Sequence, residues 1–450
     1  MANTYLSRTM GTPTSRKKFT ISVWVKKSKS GEDIAQHIWN GYYSTDNRLV
    51  IYFQAGSEDT LGLYNVVGGS ATGFILTNRK FRDTNGWYHI YYAVDTTQST
   101  ASDRIKLYIN GVQETSLSQN TYPSQNADLG YANGYTNFIG KYGGDTSSQF
   151  DGAMSHFHYV DGSVIDIAQF GSTDSTTGEW KINTSPTISS YGTNGFLILK
   201  DGNTITDQSP NSNNFTVGGG TLTKTEDCPS NVFATGNPLI GLHSNGNALV
   251  PTYTNGNTTS TSGGGAWKIH QSTLGASSGK YYAEFKLVSN SGTWYSYVGI
   301  YDLDGYAQKI SGYPYMADMA NSYGLKDGNG QIWTNSSGTS YGVSYGTGNI
   351  IGVAMDLDNN KLYFSKDGVW MNSANPSNGT GGHSITADKT YAFGIQQYAQ
   401  NSIVWSANYG NGYFGTTAVS SAGTNASGIG IFEYDVPAGY TALCTKGLNE

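Results

Sequence analysis

The sequence predicts an all-β protein, and three observations carry that prediction. Glycine (59) and tyrosine (34) are abundant, only 13% of the 450 residues are charged, and just eight are Glu. Long Ala/Leu/Glu/Lys segments of helical composition are missing. In their place, short stretches alternate apolar and polar side chains between Gly/Asn/Ser/Thr turns, the signature of short antiparallel strands. The length suits about two or three domains, each with a core of its own. Hydrophobic content is 37%, and the 13% of aromatic residues supply much of the area to be buried.

Taken in order, Phe19 to Lys26 alternates apolar with polar except at Trp24, which predicts a half-buried strand. Leu49 to Gln54, Leu61 to Val67 and the aromatic run Trp87 to Asp95 are further strands. Ile105 to Asn110 returns and turns at Asn110-Gly111. Asp166 to Phe170 can make one helical turn, Gly171 to Ser190 is loop-like, Gly195 to Lys200 is a short strand, and Asp207 to Asn214 is dense in turn residues. Gly348 to Trp370 holds the clearest hairpin. Ile351, Val353, Met355 and Leu357 share one face, predicted buried, with Gly352, Ala354 and Asp356 on the other. Lys361 to Lys366 runs back and Asp367-Gly368 closes a second turn. The same logic appears twice, in Lys106-Leu107-Tyr108-Ile109 before Gly111 and in Lys361-Leu362-Tyr363-Phe364 before Gly368. The expected organisation is therefore two tandem antiparallel β-sandwiches, residues 1–165 and 228–450, joined by a loop-rich connector, 166–227, with one short strand.

A net charge of −6 and no basic run longer than Arg16-Lys17-Lys18 argue against nucleic-acid binding. No apolar stretch is long enough to insert in a membrane, and the N-terminal residues lack the apolar segment of a secretory signal. Two cysteines, Cys228 and Cys444, imply no disulfide framework, and free thiols are expected for synthesis in a reducing cytoplasm.

Residues able to do chemistry are sparse. A strand carrying paired glutamates as nucleophile and acid/base needs them close in sequence, and no two Glu lie within ten residues of each other. No catalytic residue is assigned, and no enzyme activity is expected. His156 and His158 share a strand face at a spacing that suits metal, yet lack a third ligand nearby and read as edge or surface histidines. Asp356-x-Asp358-Asn359-Asn360 and Asp201-x-Asn203-x-x-x-Asp207 are oxygen-rich candidates for Ca²⁺, but turn chemistry explains both, so no metal or cofactor is expected. The strongest functional hint is the Tyr/Trp-rich loops, with Tyr42, Tyr43, Tyr135, Tyr142, Tyr306, Tyr313, Tyr315, Trp333 and Tyr413 as candidate contacts. Aromatic faces stack on the apolar faces of sugars, suit protein interfaces equally, and also fill cores.

Several motifs carry a resemblance. Gly352-Val353-Ala354-Met355-Asp356-Leu357 through Gly368 resembles the core hairpin of SPRY domains. Gly279-Lys280-Tyr281-Tyr282-Ala283-Glu284-Phe285, Val298-Gly299-Ile300 and Tyr323-Gly324-Leu325 resemble the strands preceding it in that family. Phe19 to Lys26, Trp87 to Asp95, Lys106 to Gly111 and Phe150 to Ser155 are similar to successive strands of laminin-G/concanavalin A-like domains, which implies jelly-roll sandwiches. His156 to Gly162, the junction Asp227 to Leu239 and the ending Val436 to Leu443 look like those of tailed-phage structural proteins. That resemblance implies a virion-surface protein of a tailed, aquatic (cyanophage-like) bacteriophage, made in the host bacterial cytoplasm. It would be a capsid fibre or decoration, or a tail-fibre component, meeting host-surface glycans or other virion proteins as a homo-oligomer. The alternatives are a tail polysaccharide depolymerase and a structural virion protein without ligand.

Overall fold

The computed structural model describes residues 3–200, 204–240, 249–308 and 315–449, without the side chains of 57 and 306–308. The chain divides into two units, Met1–Lys224 and Thr225–Glu450. Each is a β-sandwich, two large sheets of almost wholly antiparallel strands enclosing one main core, so the predicted fold class holds.

In the first unit an eight-stranded sheet runs in the order Leu117–Thr121, Ser70–Lys80, Thr60–Val67, Asn47–Phe53, Gln36–Ser44, Thr136–Ile139, Tyr5–Thr9, Thr216–Gly219. A six-stranded sheet faces it, in the order Phe196–Ile198, Gly152–Asp161, Lys18–Lys27, Tyr88–Asp95, Ile105–Ile109, Val112–Gln113. Phe19, Ile21, Val23 and Val25 alternate inward from the central strand onto Leu49, Ile51, Phe53, Leu61 and Leu63 of the opposite sheet. This is the period-2 pattern seen in the sequence.

The stretch expected to be a connector is instead part of this sandwich as far as Lys224. Phe196–Ile198 and Thr216–Gly219 extend the two sheets, and Phe196, Ile198, Leu199 and Phe215 enter the core. Its turn-dense run is ordered by one carboxylate. Asp207 Oδ1 accepts from Leu197 N (2.9 Å) and Ser209 N (2.9 Å), while Oδ2 accepts from Ser209 Oγ (2.8 Å) and Asn213 N (2.7 Å). Of the calcium candidate in this region, Asp201 and Asn203 lie outside the described residues.

The strand Lys18–Lys27 is buried on both faces, not on one. Thr20, Ser22, Trp24 and Lys26 point away from the core and are still buried. The cover comes from the following chain. Trp24 stacks on His89 (5.0 Å, 22°), and His89 stacks with Trp180 (5.9 Å, 12°). Trp180 Nε1 donates to His89 Nδ1 (3.0 Å), which leaves the ring proton on Nε2, facing Ser22 Oγ at 2.8 Å. His156 and His158 are buried as well, not at an edge or surface. A bulge between Ser155 and His158, with His156 at φ 47°, breaks the two-residue repeat the sequence suggested. His158 Nδ1 meets Tyr191 OH at 2.9 Å.

In the second unit, the nine-stranded sheet includes Thr259–Gly263, Ser402–Asn408, Lys280–Ser291, Ile350–Asp356 and Lys361–Lys366 in that spatial order. The six-stranded sheet runs Ala266–Gln271, Tyr391–Ala399, Trp294–Asp302, Tyr323–Lys326, Gln331–Thr334, Ser337–Ser340. The predicted hairpin forms with Met355 opposite Leu362 and Asp356 opposite Lys361, and Ile351, Val353, Met355 and Leu357 face the core. Its other face is covered too. Tyr282, Ala354 and Tyr363 pack under Phe432, Val436, Tyr440 and Ala442 of the C-terminal segment. Glu284 fastens that segment: its carboxylate accepts from Glu433 N (2.8 Å), Tyr434 N (2.9 Å), Asn408 Nδ2 (3.1 Å) and Tyr282 OH (3.2 Å). Asp356, fully buried, pairs with Lys280 Nζ (2.9 Å) and accepts from Asn359 N (3.0 Å) and Nδ2 (2.9 Å). Both cysteines are free thiols.

The twin hairpins share a lock. Asn110 (φ 48°) and Gly111 (φ 78°) form one left-handed turn, and Asp367 (φ 51°) and Gly368 (φ 81°) the other. A Cβ on Gly111 would lie 2.2 Å from the Trp180 ring, and one on Gly368 would lie 2.6 Å from the Tyr434 ring. In both units the covering segment seats an aromatic ring on a turn that only glycine leaves open.

Candidate binding face

One sheet of each sandwich is covered by its own chain, and the candidate contacts lie on the outer faces of the two other sheets, although in the second unit Ile240, Leu249, Met316 and Met319 pack over part of that face against Tyr297, Trp267 and Trp333. In the second unit, strand register builds an aromatic row. Trp267 lies opposite Tyr398, and Tyr398 opposite Tyr295, so three neighbouring strands present their rings side by side. The Trp267 ring lies 5.3 Å from Tyr398, 6.5 Å from Tyr295, 6.2 Å from Tyr297 and 5.4 Å from Tyr315. Tyr315 reaches this row from a turn in which its carbonyl accepts from Asp318 N (3.0 Å) and Met319 N (2.9 Å). The next row runs Gln396, Tyr297, Lys326, and Trp333 packs edge-on to Tyr297 at 6.3 Å. Lys326 Nζ sits 5.0 Å above the Trp333 ring and 6.0 Å above that of Tyr297, a cation held over two aromatic faces. Burial raises the Tyr297 hydroxyl to about 12, so it stays protonated. Tyr295 is 44% exposed, and Trp267, Tyr315, Tyr398 and Trp333 are half-buried. The chemistry of such a face suits the stacking of flat, partly apolar groups.

In the first unit the outer face of the eight-stranded sheet carries a stack of rings. Tyr43, 67% exposed, stacks on Tyr135 at 5.1 Å and 20°. Tyr42 meets Tyr142 edge-on at 5.4 Å, Tyr142 stacks on His37 at 4.8 Å, and His37 on Tyr52 at 5.2 Å. Burial lowers His37 to about 4, so it is a neutral ring within the stack near pH 7. These rings are spent on one another and Tyr135 also packs against the core, which leaves Tyr43 as the presented ring.

The structure thus pairs Tyr42 with Tyr142 and Tyr43 with Tyr135 in the first unit, and in the second it packs Tyr315 on Trp267 and Trp333 on Tyr297. Tyr413 lies apart in a hairpin formed by Tyr413–Phe414 and Thr417–Ala418. The side chain of Tyr306 and all of Tyr313 fall outside the described residues. Sequence reasoning missed Trp267, Tyr295, Tyr398 and Lys326, because it sought contacts in loops and these lie within strands. The available signal was the alternation of Tyr295 and Tyr297 along one strand. Among the described residues, no three His, Cys, Asp or Glu side chains group to hold a metal ion.

Residues 2–166 match the model of the concanavalin A-like lectin/glucanases superfamily, and residues 251–380 match that of the SPRY domain. The first unit therefore carries a concanavalin A-like domain and the second a SPRY domain, as their motifs led us to expect. Lectin-like sandwiches of this kind suit carbohydrate or protein binding in general. No curated protein matches the chain. Among solved structures, the heptameric SAP-like pentraxin of Limulus polyphemus is 19% identical, with 37% of this chain and 73% of that one covered at a TM-score of 0.27. The SPRY domain of human HERC1 is 16% identical (33% and 87% covered, TM-score 0.25). Domain 4 of the Geobacillus stearothermophilus arabinanase AbnA, solved with arabinotriose, is 17% identical (33% and 63% covered, TM-score 0.25).

Proposed function

We propose that this protein is a non-enzymatic surface protein of a tailed-phage virion, a capsid fibre or decoration or a tail-fibre component, and that it holds host-surface glycan on the Trp267 face. One observation carries the binding reading. Trp267, Tyr398 and Tyr295 form a register-matched aromatic row on an outer sheet face, with a lysine over aromatic rings beside it. Stacked pyranose rings suit that row, and Lys326 favours sugars bearing a carboxylate or phosphate. The virion reading rests on the junction and C-terminal motifs that resemble those of phage structural proteins. A low charge content of 13% leaves sheet edges with little protection by lysine, which supports closed self-association or docking onto another virion protein.

The test is calorimetric titration of the purified full chain with oligosaccharides from host lipopolysaccharide or capsule. We expect saturable binding that Trp267→Ala weakens about tenfold or more while the second unit, somewhat destabilised by the loss of the ring's packing, still melts cooperatively. Unchanged affinity in that variant would remove the aromatic row from the reading, and release of reducing ends would favour a depolymerase instead.

A further inference from the structure

The interior of the first sandwich contains a lysine and an aspartate that the binding reading does not use. Lys27 ends the strand Lys18–Lys27 of the six-stranded sheet, and Asp59 immediately precedes Thr60–Val67 of the eight-stranded sheet. Their side chains are 0% and 3% exposed, and Lys27 Nζ lies 2.5 Å from Asp59 Oδ1. The surroundings are aromatic. Nζ is 4.6 Å from the centre of the Phe53 ring, Phe53 packs against Phe81 at 5.3 Å, and Phe81 O accepts from Nζ at 3.1 Å. The other carboxylate oxygen, Oδ2, accepts from Ser30 Oγ (2.6 Å) and Gly31 N (2.8 Å). Asp59 is held at φ 46°, a left-handed backbone that fixes where its carboxyl points.

We propose that Lys27 and Asp59 condense into an amide, an isopeptide cross-link between the two sheets of this sandwich. A dry site disfavours the ammonium–carboxylate form of the pair relative to amine and carboxylic acid, which differ from it by one proton moved along the short contact. The amine lone pair attacks Asp59 Cγ, the N–C bond forms, and the carbonyl electron pair moves onto Oδ2. Ser30 O–H and Gly31 N–H already point at that oxygen, in the arrangement that stabilises a developing oxyanion. A proton passes from the nitrogen to Oδ1, the Cγ–Oδ1 bond breaks, one water leaves, and the carbonyl re-forms at Oδ2. Nothing is oxidised or reduced. The product removes two buried charges and keeps one N–H to donate to Phe81 O. Burial lowers the Lys27 pKa, which raises the share of amine. At Asp59 burial is outweighed by the hydrogen bonds from Lys27, Ser30 and Gly31, which hold its carboxyl low, so the acid form arises only as the proton moves along the short contact.

Mass spectrometry of the denatured full chain tests this. The expected wild-type mass is one water below that of the sequence, and trypsin should yield a branched peptide joining the Lys27 and Asp59 fragments. Lys27→Arg, which preserves a cation but cannot form this bond in the same place, should return the mass to the full value for its sequence. A wild-type chain at full mass overturns the proposal even if the variant does not fold. Water loss that persists in Lys27→Arg overturns it as well.

Discussion

Ending the chain after residue 165 removes more than a linker, and the consequence is measurable. That cut deletes Phe196–Ile198 and Thr216–Gly219 and strips Phe196, Ile198, Leu199 and Phe215 from the core of the first sandwich. Burying one large apolar side chain is worth about 1.5–3 kcal/mol, so these four together account for roughly 6–12 kcal/mol. A whole domain has a net stability of only about 5–15 kcal/mol. The cut also uncovers Trp24 and His89, which sit beneath Trp180. Fragment 1–165 should therefore lack fixed packing, whereas 1–224 should fold. Near-ultraviolet circular dichroism and thermal melts of the two fragments compare them directly. At about 2–4 °C per kcal/mol for a domain of this size, even a loss of about 4 kcal/mol is plain in the melt. A cooperative transition for 1–165 within a few degrees of that for 1–224 would refute the argument.

Two further outcomes follow from buried polar groups. In the first unit, burial depresses His37 to about 4, His89 to about 3 and His158 well below 6.5. Unfolded chain then takes up protons before folded chain, so stability present above pH 6.5 is lost as pH falls, by about 1.4 kcal/mol per pH unit for each histidine. In the second unit His270, lowered to about 3, acts the same way, but burial raises Glu284 to about 7 against 4.5. There the folded chain takes up its proton first, and stability rises as pH falls from about 7 to 4.5, opposing His270. Calorimetry from pH 7 to pH 5 should show the first unit losing stability more steeply, and a steeper loss in the second would sink the assignment. In the core hairpin, Met355→Asp should unfold the second unit, because an unpaired buried carboxylate costs several kcal/mol. Asp356→Asn, which the half-buried reading expects to be harmless, should cost about 1–3 kcal/mol by leaving Lys280 without its counter-charge, and a denaturant midpoint equal to wild type would contradict that.

How far the sequence could be read depended on where each side chain's partners lie in the chain. The faces of Ile350–Asp356 were legible because side-chain alternation is a local property. Burial of the second face was not, since the cover arrives from Phe432 to Ala442 and its polar contacts are met by Glu284 and Lys280 from another strand. Polar residues under a cover read as solvent-facing whenever the partner is distant in sequence. The same cause misplaced the connector, whose Asx-rich composition marks the turns held by Asp207 as well as it would mark a free linker. Tyr42, Tyr43, Tyr135 and Tyr142 were legible as local aromatic density. The Trp267 row was not, because it exists only through the register of three strands whose residues lie far apart in sequence.

The rings seated on Gly111 and Gly368 impose an order on synthesis. Trp180 and Tyr434 are each translated well after the hairpin they close, so both hairpins leave the ribosome before their lids. At elongation rates of about 5–20 residues per second, the interval from Gly111 to Trp180 lasts on the order of several seconds. During that interval the nascent sheet shows its outer side to the cell, and intermolecular strand pairing competes with closure. Closure of the first sandwich needs only chain that precedes Thr225, so it can finish while the second is still being made. The second takes its lid from Phe432 to Ala442, so Tyr434 can dock only once the chain through that segment has been translated.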